Sequence, residues 1–280
     1  RRRAKRGPFS TGYGEYSGMN DLLTSRISSK PFRYDGVSDS ACYIIHGYTG
    51  STFEMHGIGK FLASKGFTTV GELLPGHGTS VEDCNSKSYN DWIDAIEKGY
   101  DQLASEFQKV FIIGFSMGCT LAFHLALTRN VPGLIIMAPA MFKFKTRKIY
   151  FSPIMCHFKE YEVKRFKTTN DVQLPTFGYS VYPLKAGREV LKLTFSIRHQ
   201  LHKVMTPAIV MHSTEDISAP YDNGLRVYDA IGSEDKQFIT FRRSSHMLMY
   251  DCEKEAVWDA TLQFVQDHSK VLTDAVPVPE

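Results

Sequence analysis

"FIIGFSMGCTLAF", residues 111–123, decides the fold. An apolar run ends at Gly114, Ser116 stands between Gly114 and Gly118, and an apolar helical pattern follows. A serine in G-x-S-x-G that leaves a strand and enters a helix sits on a strained elbow. The two glycines carry no side chain, so the turn can be sharp and the strand and helix can approach closely. The hydroxyl is then lifted above the carboxyl end of the sheet, where open α/β sheets bind ligands. The helix N-terminus behind it offers unsatisfied backbone N–H groups, which suit a nucleophile whose product is an oxyanion. Five residues alone match by chance in many proteins; the strand-to-helix context makes the pattern specific.

The same alternation extends outward. "ACYII" (41–45), "FTTVGEL" (67–73), "KVFIIG" (109–114), "GLIIMAP" (133–139), "PAIVMHS" (207–213) and "KQFITF" (236–241) read as strands. "FEMHGIGKFLASKG" reads as a helix closed by Gly66, and "SYND" (88–91) offers a capping box before a helix carrying Trp92, Ile96, Tyr100 and Leu103. "MGCTLAFHLAL" (117–127), residues 221–231 and a stretch from near Cys252 complete the helices. Short apolar strands alternating with amphipathic helices predict a mostly parallel sheet covered on both faces. Residues 41–140 and 205–270 form that core, 141–204 break the rhythm as an inserted cap, 1–40 read as a mostly irregular lead-in, and 271–280 as a tail.

A serine nucleophile needs a base, and the base an orienter. His246, in "RRSSHMLMY", follows the last strand, and Asp216, in "HSTEDISAP", follows the strand before it. Both therefore reach the rim that carries Ser116, in the order Ser, Asp, His. Glu215 is the rival to Asp216; being adjacent, it should point elsewhere, and Asp216 is preferred. Among the other histidines, His124 belongs to the elbow helix, His77 to the "PGHG" turn, and His157, His199 and His202 to the cap. No histidine pair has metal spacing beside a carboxylate, so neither a metal nor a cofactor is expected. "HGYTGS" (46–51) leaves a strand as a turn of small residues, and the backbone N–H of Tyr48 there can meet that of Met117 to form an oxyanion hole.

"IIHGYTGS", "LLPGHG", "GFSMGC", "TEDISAP" and "SSHMLMYD" resemble the matching stretches of small carboxylesterases and monoacylglycerol lipases of the α/β-hydrolase superfamily. The resemblance covers roughly residues 41–139 and 205–266. It implies the α/β-hydrolase fold, Ser116, Asp216 and His246 as the triad, and Tyr48 and Met117 as oxyanion-hole donors. Cys119 departs from the glycine often found after the elbow glycine, and cysteine is small enough for the close contact required. One turn into the helix, it is not a nucleophile.

Composition bounds the rest. The chain has 280 residues, enough for one large domain or one domain with an insert, and 42% hydrophobic residues exclude global disorder. Five scattered cysteines without a C-x-x-C pair argue against a disulfide framework or zinc site and point to a reducing, cytoplasmic compartment. No apolar run approaches transmembrane length. "RRRAKRG" (1–7) reads as a trimmed, disordered terminus, the alternative being the basic flank of a lost membrane anchor.

Residues 141–204 hold 13 Lys and Arg against 4 Asp and Glu, a strongly basic cap on an acidic body. Aromatic residues are interleaved with these charges. The stretch reads as a solvated basic face, as a surface drawing the enzyme peripherally to anionic lipid, or as a dock for an anionic substrate. Nucleic acid is not an expected partner, because no binding module is recognisable. The expected function is a serine hydrolase cleaving single-chain acyl esters, a carboxylesterase or monoacylglycerol lipase. An acyl thioesterase or amidase with the same triad, or a low-turnover binding protein on this fold, is the alternative.

Overall fold

The computed structural model describes residues 29–144, 150–164 and 178–269. Its strands are β1 (Phe32–Tyr34), β2 (Ser40–Ile45), β3 (Thr68–Glu72), β4 (Lys109–Phe115), β5 (Leu134–Met137), β6 (Tyr161–Val163), β7 (Val181–Pro183), β8 (Ala208–Ser213) and β9 (Lys236–Phe241). Its helices are α1 (His56–Ser64), α2 (Val81–Ser86), α3 (Tyr89–Glu106), α4 (Met117–Thr128), α5 (Ser152–Met155), α6 (Leu184–Arg198), α7 (Asp222–Ala230) and α8 (Lys254–Ser269). Seven strands form one sheet in the order β1-β3-β2-β4-β5-β8-β9, and β6 pairs with β7 in a separate antiparallel ribbon. All neighbours in the large sheet are parallel except β1, which runs antiparallel to β3 at the edge.

Side chains alternate across the sheet with period two and build a core on each face. Tyr43, Ile112, Ile136 and Val210 point to one side, where they meet Trp92, Ile96, Phe123 and Val227 of α3, α4 and α7. Ile44, Ile113, Ile135 and Met211 point to the other, against Ile58 and Leu62 of α1 and Val257, Phe264 and Val265 of α8. Each fully buried side chain of this size contributes about 1.5–3 kcal/mol relative to exposure, which is why strands apolar on both faces are stable only between helical layers. The capping box before α3 is present: Ser88 Oγ accepts from Asp91 N, and Asp91 Oδ2 accepts from Ser88 N.

Several elements lie where the sequence suggested none: α2, the cap elements α5, β6, β7 and α6, and β1. Strand β1 falls inside the stretch expected to be mostly irregular. Phe32 anchors it: a Cβ on Gly71 or Gly59 would come within 2.2 or 2.7 Å of the Phe32 ring, so both glycines leave room for that ring. Helix α6 falls inside 141–204, where it buries Ala186, Val190, Leu193 and Ile197 in the core that α3 and α4 share. Residues 1–28 and 270–280, and the cap segments 145–149 and 165–177, lie outside the described residues.

In a parallel sheet every strand delivers its carboxyl end to the same rim. Ser116 follows β4, Asp216 follows β8, His246 follows β9 and the 46–51 turn follows β2. Strand order therefore brings Ser116 and His246, 130 positions apart in the chain, to the same rim as the 46–51 turn.

Candidate active site

Ser116 has φ 53° and ψ −113°, a left-handed conformation that few residues other than glycine adopt. Its neighbours hold it there. Its N–H donates to Met137 O at 3.0 Å. A Cβ on Gly118 would come within 2.3 Å of Ile45 O, and one on Gly114 within 2.7 Å of Gly118 O, so α4 presses directly on β2 and β4. Cys119 is buried behind the elbow, its Sγ donating toward Gly114 O and Met137 O, each at 3.2 Å. Burial pushes that thiol up, which keeps it protonated and inert.

Ser116 Oγ lies 3.0 Å from His246 Nε2, and His246 Nδ1 lies 2.7 Å from Asp216 Oδ2. The carboxylate can only accept, so Nδ1 carries the hydrogen and Nε2 is free to accept the serine proton. Asp216 is buried and Glu215, its rival, is exposed. The N–H groups of Ser218 and Ala219 donate to Asp216 Oδ1 at 2.8 Å each. Burial works to raise the Asp216 pKa, but the His246 charge and the bonds from His212 and His246 outweigh it and hold the carboxyl below 3.8. Burial likewise works against a charged His246, yet the Asp216 charge and hydrogen bond raise its pKa above 6.5.

The turn after β2 faces the elbow. A Cβ on Gly47 would lie 3.1 Å from Ser116 Cβ. His46, fully buried, accepts from Leu74 N at Nε2 (3.1 Å), which leaves the hydrogen on Nδ1, 2.8 Å from Gly47 O. Burial, helped by His77, pushes the His46 pKa down to about 3, so the ring is a neutral brace. His77 is buried too, with its pKa pushed down to about 4 by burial. Thr49 has φ 63° and its carbonyl accepts from Tyr179 N. The Tyr48 hydroxyl donates to Pro183 O, so residues before and at the end of β7 clamp the turn. Among the described residues no acceptor engages the backbone N–H of Tyr48 or Met117.

Three side chains at this rim had no place in the sequence reading. Glu54 is buried, its Oε2 has no partner, and burial pushes its pKa up to about 8. Lys164, just past β6, donates to Thr49 Oγ1 at 2.5 Å, and burial pushes its pKa down to about 8. His212, at the end of β8, reaches Asp216 Oδ2, the oxygen that His246 also approaches, at 3.1 Å. Its position was in the quoted "HSTED" stretch; a polar residue among the apolar ones of a strand end was the available signal. His124 instead pairs with Glu97 at 2.8 Å, away from the triad residues. Among the described residues no group of three or more His, Cys, Asp or Glu is arranged to hold a metal ion.

A mostly parallel sheet flanked by helices, with a serine elbow after a central strand and acid and histidine after later ones, defines the α/β-hydrolase fold. The chain belongs to the serine aminopeptidase family S33, whose family model matches residues 36–169 and 175–253, and it is a hydrolase. It is 22% identical over 241 residues to a carboxylesterase of Bacillus subtilis (strain 168), covering 86% of this chain and 97% of that one. It is 26% identical over 261 residues to a thermostable monoacylglycerol lipase of Bacillus sp. (strain H-257), covering 90% of this chain and all of the relative. Among solved structures, one reported under LipS and LipT, two metagenome-derived lipolytic enzymes, superposes with a TM-score of 0.80 at 24% identity, over 86% of this chain and 98% of that one. A soluble variant of Saccharomyces cerevisiae monoglyceride lipase superposes with a TM-score of 0.73 at 13% identity, over 86% of this chain and 92% of that one. At those identities the two structures speak for the fold alone.

Proposed function

We propose that this chain hydrolyses carboxylic esters of single-chain acyl groups, monoacylglycerols among them, through an acyl-enzyme on Ser116. The observation that carries the reading is the chain of contacts Ser116 Oγ–His246 Nε2 and His246 Nδ1–Asp216 Oδ2, at 3.0 and 2.7 Å, on a strained elbow at the sheet rim. The carboxylesterase and monoacylglycerol lipase relatives support the ester class.

Ser116 Oγ attacks the acyl carbonyl while His246 Nε2 takes its proton. Charge develops on the carbonyl oxygen, toward which the N–H groups of Tyr48 and Met117 donate. Asp216 keeps the imidazole in its tautomer and stabilises the imidazolium. The alkoxide leaves with the proton from His246, forming the alcohol and the Ser116 ester. Water then attacks that ester, giving its proton to His246, and the acid departs as Ser116 recovers a hydrogen. Every step is carried by protein groups and water.

Residues 141–204 form the cap over this rim in the same reading. The exposed Phe151, Ile154 and Phe158 and the basic excess of the stretch suit contact with anionic lipid. The test is a panel in which the acyl chain is fixed and the leaving group varied. Monoacylglycerol and p-nitrophenyl esters should turn over with higher kcat/KM than the matching acyl thioester or amide. A preference for thioester or amide would replace the ester reading.

A further inference from the structure

Asp216 is approached by two histidines. His246 Nδ1 lies 2.7 Å and His212 Nε2 3.1 Å from the same oxygen, Oδ2. His212 Nε2 also lies 3.1 Å from Ala219 O. Both neighbours are acceptors, so Nε2 must carry a hydrogen, and it donates between the carboxylate and the carbonyl. The ring has no freedom to turn away: His212 is fully buried, and a Cβ on Gly224 of α7 would come within 2.7 Å of its Nδ1 and 2.8 Å of its Cβ. Nδ1 has no partner. A buried ring nitrogen left unpaired costs stability, and only Nε2 of this ring is engaged in hydrogen bonding. Tyr221 closes the pocket edge-on, its ring centroid 5.9 Å away.

We propose that His212 is a positioning residue for hydrolysis: by donating to Asp216 Oδ2 it fixes the carboxylate plane and limits the negative charge felt by His246. The inference rests on the triad reading above. Ser218 and Ala219 hold only Oδ1, so without His212 the second oxygen is steered by His246 alone. The charged and titratable groups that face His246 are Asp216, Glu54 and Lys164; those facing Asp216 are His212 and His246. Of these, His212 is the neighbour whose donor competes with His246 for the same oxygen.

Removing that donor has two consequences of known sign. The carboxylate gains rotational freedom, so kcat falls while KM, set by the acyl and leaving groups, changes little. Its charge is no longer shared, so the His246 imidazolium is stabilised and the acid limb of kcat/KM moves to higher pH.

The test compares His212→Leu, His212→Gln and Gly224→Ala on a p-nitrophenyl ester, with Ser116→Ala alongside. Leucine removes the donor, whereas a glutamine amide can place an N–H where Nε2 was. Alanine at 224 forces the unaltered ring to shift, because its Cβ would lie 2.7 Å from His212 Nδ1, and so disturbs the bond to Asp216 while placing a better helix former in α7. His212→Leu should lose about tenfold or more in kcat, the scale of a hydrogen bond to a charged group, with its acid limb shifted up. His212→Gln should recover most of both effects. Gly224→Ala should reproduce the loss and the upward shift, which keeps the test decisive if His212→Leu fails to fold. Wild-type kcat with an unmoved or lowered acid limb in Gly224→Ala or a folded His212→Leu overturns the inference, as does a glutamine variant no better than leucine. An active Ser116→Ala would instead remove the triad reading itself, so the two failures are distinguishable.

Discussion

A free serine hydroxyl is a weak nucleophile at neutral pH, and in the proposed mechanism what changes that at Ser116 is a set of distances between single atoms. Asp216 and Glu215 are adjacent carboxylates, yet only Asp216 is buried and bonded to His246. Asp216→Asn should offer an amide N–H to His246 Nδ1, favour the wrong tautomer and cost on the order of 10⁴ in kcat. Glu215→Gln should stay within a few-fold of wild type; steady-state kinetics of the two variants decide between them. The pH profile follows from His246. As the proposed base it works only when neutral, and Asp216 raises its pKa above 6.5, so kcat/KM should fall as pH drops through that raised value. Asp216→Asn removes the cause of the rise and should move the residual acid limb downward. His212, Glu54 and Lys164 were not legible at this scale, because each owes its position to burial beside a residue distant in sequence or to a turn that local pattern does not specify.

At the scale of elements, the sequence was most informative where a short-range rule decides the outcome. The strands at 41–45, 109–114 and 207–213 and the cap at Ser88 follow from apolar runs and from one hydroxyl placed three residues before a carboxylate. Ser88→Ala should cost about 1 kcal/mol of stability, read by denaturant unfolding, with kcat unchanged. Gly118→Ala is different in kind. Its Cβ would meet the backbone oxygen of Ile45, which cannot swing aside, so α4 must move off β2. A loss of about 1–3 kcal/mol or more is expected together with a fall in kcat, since the elbow moves with the helix. Strand β1 was illegible because three edge residues carry no period; Phe32 finds its place through Gly59 and Gly71. Helix α6 did carry a signal, Ala186, Val190, Leu193 and Ile197 at spacings of four, three and four, obscured by the basic residues between them.

Across the whole molecule, charge is divided unevenly: residues 141–204 carry 13 basic and 4 acidic side chains in a chain whose formal net charge is +3. In the proposed lipid contact, that imbalance draws the basic stretch toward an anionic surface, with about 1 kcal/mol per Lys or Arg near it and a reach of about one Debye length. Replacing Lys143, Lys145, Arg147 and Lys148 together by Gln should weaken sedimentation with anionic vesicles, most visibly at low salt, while hydrolysis of a short soluble ester stays nearly unchanged. Of these four, only Lys143 lies among the described residues, where it pairs with Asp222 at 2.7 Å. Equal sedimentation with anionic and neutral vesicles would remove the lipid contact from the account. The account as a whole depends on one covalent bond. Intact-mass and peptide mass spectrometry after treatment with a fluorophosphonate tests it most directly. A single adduct on Ser116, absent from a folded Ser116→Ala variant that has also lost about three decades or more in ester turnover, is the predicted result. An adduct on another residue, or undiminished labelling and turnover in that variant, would contradict it.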